Sequence, residues 1–151
     1  MTHLSIIDKT RPNRQWLDAL RSYASVSDNS ADALLESLLL RACLRVQEMA
    51  DRSLLDCTVR LSEDGLEYGV VRLYGTVAEI VSVTDASGNP VAWTRSGHML
   101  YVDASDVVVI YKTIADPGDF DELLPVVLQY ATALYDGQDA QTLASILSQC
   151  L

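Results

Sequence analysis

Residues 121–137, DELLPVVLQYATALYDG, decide how the chain is put together. They read as a helix with Asp121 as its cap, Pro125 in the first turn, where proline costs least, and Gly137 as its stop. Between Glu122 and Asp136 no side chain is charged. Leu124, Val127, Leu128, Ala131 and Leu134 recur at helical spacing and form one apolar face. Val126, Tyr130 and Ala133 form a second, which leaves Gln129 and Thr132 to meet water. Such a helix is either sandwiched inside a core or shared between its own fold and a neighbouring subunit. One other long helix and a small sheet offer little to cover both faces, so the second arrangement is expected. Val126, Tyr130 and Ala133 are then the candidate subunit contact, contributing a few kcal/mol per interface at ~25 cal/mol per Å² of apolar area.

Upstream, IADPGDFD (114–121) carries Pro117-Gly118 and reads as a loop. Before it, residues 54–113 have the two-residue period of strands, in LLDCTVRL, GVVRLYG, TVAEIVSVTD, HMLYVD and DVVVIYKT. EDGLEYG and Gly88-Asn89-Pro90 supply turns between them, and the β-branched run from Val107 to Tyr111 suits the centre of a sheet. The connections are too short for parallel crossovers, so the sheet is antiparallel. Residues 10–24 read as a short helix, with Pro12 in its first turn and a stripe of Trp16, Leu17, Leu20 and Tyr23. A longer helix, about 31–51, starts after Ser30 as N-cap with Asp32 in the first turn. Leu35, Leu38, Leu39, Ala42, Val46 and Met49 make its stripe. A terminal amphipathic segment, 139–150, carries Leu143, Ile146 and Leu147 on one side and is a natural docking element. The expectation is one α+β domain over 1–151: two N-terminal helices and two C-terminal helices in a bundle, with a small antiparallel sheet of four or five strands inserted between them.

Composition narrows the function. At 151 residues, 49% hydrophobic and 21% charged, the chain has the make-up of an ordinary globular protein. No apolar run approaches the ~18 residues that cross a membrane, and MTHLSIIDKTRPNR does not read as a signal peptide. Cys43, Cys57 and Cys150 stand far apart without a C-x-x-C pair, which fits a reducing compartment and neither a disulfide framework nor a zinc site. The formal charge of -10 disfavours gripping phosphates, and is compatible with a surface that lies near nucleic acid without adhering to it.

No catalytic arrangement emerges, and neither a cofactor nor a metal is expected. His3 reads as part of a frayed terminus and His98 as a surface residue at a strand start. No G-x-S-x-G surrounds a serine, and Gly65 and Gly69 form no phosphate loop. The acids Glu63-Asp64, Asp103 with Asp106, and Asp116, Asp119 and Asp121 read as solvated loop residues; the proline spoils DPGDFDE as a calcium loop. Trp93, Tyr101 and Tyr111 could stack bases, but Arg95 and Lys112 are too few for that, which favours packing in a core or interface.

The order of these pieces resembles the head–tail connector family of tailed phages. SADALLESLLLRACLRVQEMADRSLL (30–55) is similar to that family's second helix, and LYGTVAEIVSVTDASGNPVAW (73–93) with DVVVIYK (106–112) to its sheet. The family closes with a Tyr-containing strand, a loop and a helix opening with Leu-Pro, matched by Tyr111, residues 113–120 and Leu124-Pro125; ATALYDG (131–137) resembles that helix's end. The chain departs from the family where Thr-Gly-Arg is replaced by Ala50-Asp51-Arg52, and where an aromatic-glycine pair is replaced by Thr113-Ile114-Ala115.

The resemblance implies a non-enzymatic adaptor of a phage or prophage at the virion's head–tail interface, assembled in the host cytoplasm. It implies a homo-oligomeric ring, dodecameric in the particle though often monomeric in solution, beneath the portal protein. DNA would pass through that ring without sequence-specific binding, and a stopper or tail-completion protein would dock on it. Leu143, Ile146 and Leu147 are the expected portal-docking residues. The alternative is a small acidic protein-interaction or ligand-binding domain unrelated to virions, with a pocket beside Trp93.

Overall fold

A computed structural model describes residues 2–10, 14–24, 32–115, 117–137 and 145. In chain order the elements are β1 (Thr2–Lys9), α1 (Arg14–Tyr23), α2 (Asp32–Ala50), β2 (Cys57–Glu63), β3 (Val70–Arg72), β4 (Val77–Asp85), β5 (Trp93–Ser96), β6 (Met99–Val102), β7 (Val107–Thr113) and α3 (Pro117–Tyr135). The fold is mixed α+β, with three named helices among the described residues. The chain divides into two compact units, each visited twice. The strands lie in Met1–Thr10 with Asp56–Ile114, and the helices in Arg11–Leu55 with Ala115–Leu151. The terminal segment 139–150 lies outside the described residues apart from Ser145.

In the helical unit the three helices pack on one another. α2 buries Leu35, Leu38, Leu39, Ala42, Cys43 and Val46, the expected stripe with Cys43 added and Met49 left exposed. α1 contributes Trp16 and Leu20, while Tyr23 is exposed. Arg21 ties these helices together: its guanidinium donates to Asp18 on its own helix and to Asp32 in the first turn of α2. α2 ends in a Schellman arrangement, with the Arg52 N–H donating to the Gln47 carbonyl at 3.3 Å and Asp51 at φ 52°. Asp51 therefore takes the left-handed position that glycine would fill at least steric cost.

α3 starts at Pro117, four residues before Asp121 and eight before Pro125, so most of the expected loop is helix. Pro117 suits a first helical position, where its missing N–H is no loss. Pro125 instead falls inside the helix and removes one hydrogen bond there, with its ring exposed.

The strand unit contains two antiparallel sheets, ordered β1-β2-β7-β4 and β3-β6-β5. β7 is central in the first, as its β-branched run suggests. Its inner row, Val107, Val109, Tyr111 and Thr113, is buried beside Cys57, Val59 and Leu61 of β2, with Val59 opposite Tyr111 and Leu61 opposite Val109. β1 is an addition to the sequence reading: residues taken as a frayed end pair with β2 along its length, placing His3 opposite Ser62.

Close fits hold the turns. Gly69, at φ +65°, precedes β3, and a Cβ there would meet the Val102 carbonyl oxygen at 2.3 Å. Asp85 accepts from the N–H groups of Ser87 and Asn89 at 2.9 and 3.0 Å, shaping the turn that ends at Pro90. The fully buried Tyr111 hydroxyl donates to the Tyr74 carbonyl and accepts from the Tyr74 N–H, both at 3.2 Å, joining β7 to the chain leaving β3.

Removing that hydroxyl leaves both Tyr74 backbone groups without it. Tyr111→Phe is expected to lower unfolding free energy by about 1–3 kcal/mol, read by urea denaturation; no loss would mean the pair is already satisfied elsewhere.

Burial pushes the Cys43 thiol up to about 12 from its ordinary 9.0. The folded state therefore holds the proton longer than the unfolded state does. Stability from this source is complete below pH 9.0 and declines as pH rises towards about 12. Cys43→Ala should lack that alkaline decline when unfolding is followed across this window.

Candidate assembly surfaces

An uncharged helix becomes an assembly surface only if part of it is left uncovered. On α3 the buried residues are Leu123, Val126, Val127, Tyr130, Ala131 and Ala133. At about 100° per residue they form one continuous arc about 160° wide, rather than two separate faces. Leu124 and Leu128 flank it half-buried and Leu134 falls within it, also half-buried, while Asp121, Glu122, Pro125, Gln129, Tyr135 and Asp136 are exposed.

The expected subunit contact falls within the arc. Val126, Tyr130 and Ala133 are only 7%, 9% and 7% exposed in the single chain, so the fold already covers most of their surface. The lack of charge is accounted for without a neighbour, because α3 packs against both α1 and α2. On the exposed side, Arg52 donates to Glu122 at 2.7 Å, pinning the chain after α2 to α3. Leu143, Ile146 and Leu147 lie outside the described residues.

Two of the acids noted in the sequence have local partners. Asp106 accepts from the Gly65 N–H at 2.9 Å, and Glu63 from the Thr2 hydroxyl at 2.6 Å. His3 and His98 are both exposed. Among the described residues no three His, Cys, Asp or Glu side chains gather as a metal site would require. No described helix is long and apolar enough to cross a membrane.

The aromatics separate by environment. Tyr111 is core, whereas Trp93 and Tyr101 are exposed. Arg95 is engaged by backbone, donating to the carbonyls of Gly97 and Val77 at 2.9 and 3.2 Å.

One exposed apolar surface lies on the small sheet. Register places Val70, Tyr101 and Thr94 in one row, and Arg72, Met99 and Ser96 in the next, on the face opposite the buried Val71 and Leu100. All six are exposed, and the Arg72 guanidinium stacks 4.8 Å from the Tyr74 ring centroid. Tyr68, two residues before Val70, is 87% exposed. Its loop is fixed at both ends by backbone bonds from Leu66 N–H to the Ser105 carbonyl and from Val102 N–H to the Gly69 carbonyl, each 2.8 Å. Tyr, Met and Arg are the residue types enriched at protein interfaces. Their alternation in YGVVR and MLYV was visible, but which row would be buried was not.

No protein-family model matches the chain, and no curated protein matches it. Its fold does match solved chains. One belongs to the neck of an empty GTA particle computed with C6 symmetry, with a TM-score of 0.64 and 18% identity over 89% of this chain and 84% of that one. Another, from the virion of a native gene transfer agent (GTA) particle, gives 0.62 and 19% over 97% and 93%. A third, from the neck of a native GTA particle computed with C12 symmetry, gives 0.56 and 16% over 95% and 94%. At these identities the likeness is one of fold.

A carboxylate inside the α3 arc would be buried without a partner. Tyr130→Asp is expected to destabilise the chain itself by about 3–5 kcal/mol, seen as loss of helical circular dichroism at lower urea. Retained stability with lost self-association would instead restore Tyr130 to a subunit contact.

Proposed function

We propose that this chain is a non-enzymatic structural subunit of the neck of a phage-like particle, a ring-forming adaptor between portal and tail. The observation that carries the reading is the agreement of fold along 89–97% of the chain with chains of GTA neck and virion structures. The C6 and C12 symmetries of those necks support a ring of repeated copies. In that setting the terminal segment with Leu143, Ile146 and Leu147 docks on the portal, and a stopper or tail-completion protein binds the far side. A formal charge of -10 favours passage of DNA through such a ring without retention, since an acidic lumen repels phosphates.

The burial of Val126, Tyr130 and Ala133 moves the preferred subunit contact elsewhere. Tyr68, Met99 and Tyr101 offer exposed apolar area of the kind a neighbouring copy or a tail protein would cover. Co-expression with a candidate portal protein from the same genome, followed by electron cryomicroscopy, tests the reading. A rotationally symmetric ring of this chain stacked on the portal is expected; a portal that purifies without the chain overturns it.

A further inference from the structure

Sheet edges expose unpaired N–H and C=O groups, and proteins ordinarily blunt them with short strands, bulges, charges or covering segments. The two sheets here have four edges, formed by β1, β4, β3 and β5. β3 and β5 are only three and four residues long. β4 carries register breaks between Val77 and Glu79 and between Ile80 and Ser82. Its Val77 carbonyl accepts from Arg95 and its Val83 carbonyl from the Val91 N–H, while Thr84 bridges to Pro90.

β1 is different. It runs for eight residues, and no other strand lies beyond it among the described residues. Its charged residues, Asp8 and Lys9, are confined to one end, and its single bulge falls between Ile6 and Asp8. Only Ile6 is even half-buried; Leu4 is 46% exposed and Ile7 54%. Leu4 and Ile6 nevertheless pair with the buried Leu61 and Val59 of β2, so they continue that sheet's apolar row to its rim and stop there.

We propose that β1 is a self-pairing edge, and that two copies of the chain join antiparallel through it about a two-fold axis. The backbone groups along an edge demand an extended polypeptide as occupant, and the sequence of β1 is complementary to itself. With Ser5 facing Ser5 on the axis, Leu4 of each copy lies opposite Ile6 of the other. The four aliphatic side chains then extend the row begun by Val59 and Leu61, and no like charges meet. β4 cannot serve as the partner strand, because its bulges and occupied carbonyls spoil a continuous ladder. A two-fold contact closes on itself and cannot propagate round a ring, so this dimer is a state of the free protein, independent of the neck reading.

One strand pair is a small interface, so association in the range of about 10–100 µM is expected. Sedimentation equilibrium of the full chain, from about 1 µM to about 1 mM, should show a reversible monomer–dimer equilibrium. Leu4→Lys, an exposed gatekeeper change, should weaken it at least about tenfold, while Val81→Lys on the exposed part of β4 should change it by less than about twofold. Without any substitution, amide exchange in residues 2–9 should slow as concentration rises. A monomer throughout, an oligomer larger than two, a dimer indifferent to Leu4→Lys, or β1 exchange independent of concentration would each overturn the proposal.

Discussion

A helix with no charge between Glu122 and Asp136 cannot face water on all sides, and the helical unit is arranged around that constraint. α3 turns Leu123, Val126, Val127, Tyr130, Ala131 and Ala133 inward, and α1 and α2 both pack against it. The facing surface of α2 is an unbroken stripe from Leu35 to Val46, uncharged throughout its buried positions. Ions are kept to the margins: Arg21 spans α1 and α2, and Arg52 reaches Glu122 beyond the end of α2. The Arg21–Asp32 pair is part-buried and the Arg52–Glu122 pair exposed, and an exposed pair contributes little, so enclosure of the apolar arc dominates.

The strand unit solves a different problem. β2 and β7 are buried along one row, and the Tyr111 hydroxyl secures the backbone at Tyr74. What remains outside is unusually apolar for a chain of formal charge -10: a Tyr68, Met99 and Tyr101 surface and an unguarded β1 edge. Such surfaces are liabilities for a solitary protein and assets for an assembling one.

Much of this was legible in the residues. The 3.6-residue period of α2 and the β-branched run of β7 identify both elements because burial on one side and centrality in a sheet each leave a strong pattern. β1 left only a weak one: Leu4 and Ile6 alternate with Ser5, but Ile7 breaks the pattern and most of THLSIIDK is exposed. The start of α3 was obscured because Pro117-Gly118 is turn chemistry by composition, although proline also opens helices. Asp51 holds the left-handed position after α2 without being glycine, since aspartate tolerates that region better than most residues do. The candidate contact at Val126, Tyr130 and Ala133 illustrates a firmer limit. Sequence reveals that a surface must be covered, but the covering element is chosen by tertiary packing, and here α1 and α2 suffice.

α3 is enclosed by its own chain. Amide hydrogen exchange of residues 121–135, compared between the isolated monomer and the portal-bound assembly, tests this most directly. Equal, strong protection of α3 in both states is the predicted result. Rapid exchange in the monomer that disappears on assembly would show that neighbouring subunits, not α1 and α2, complete the core.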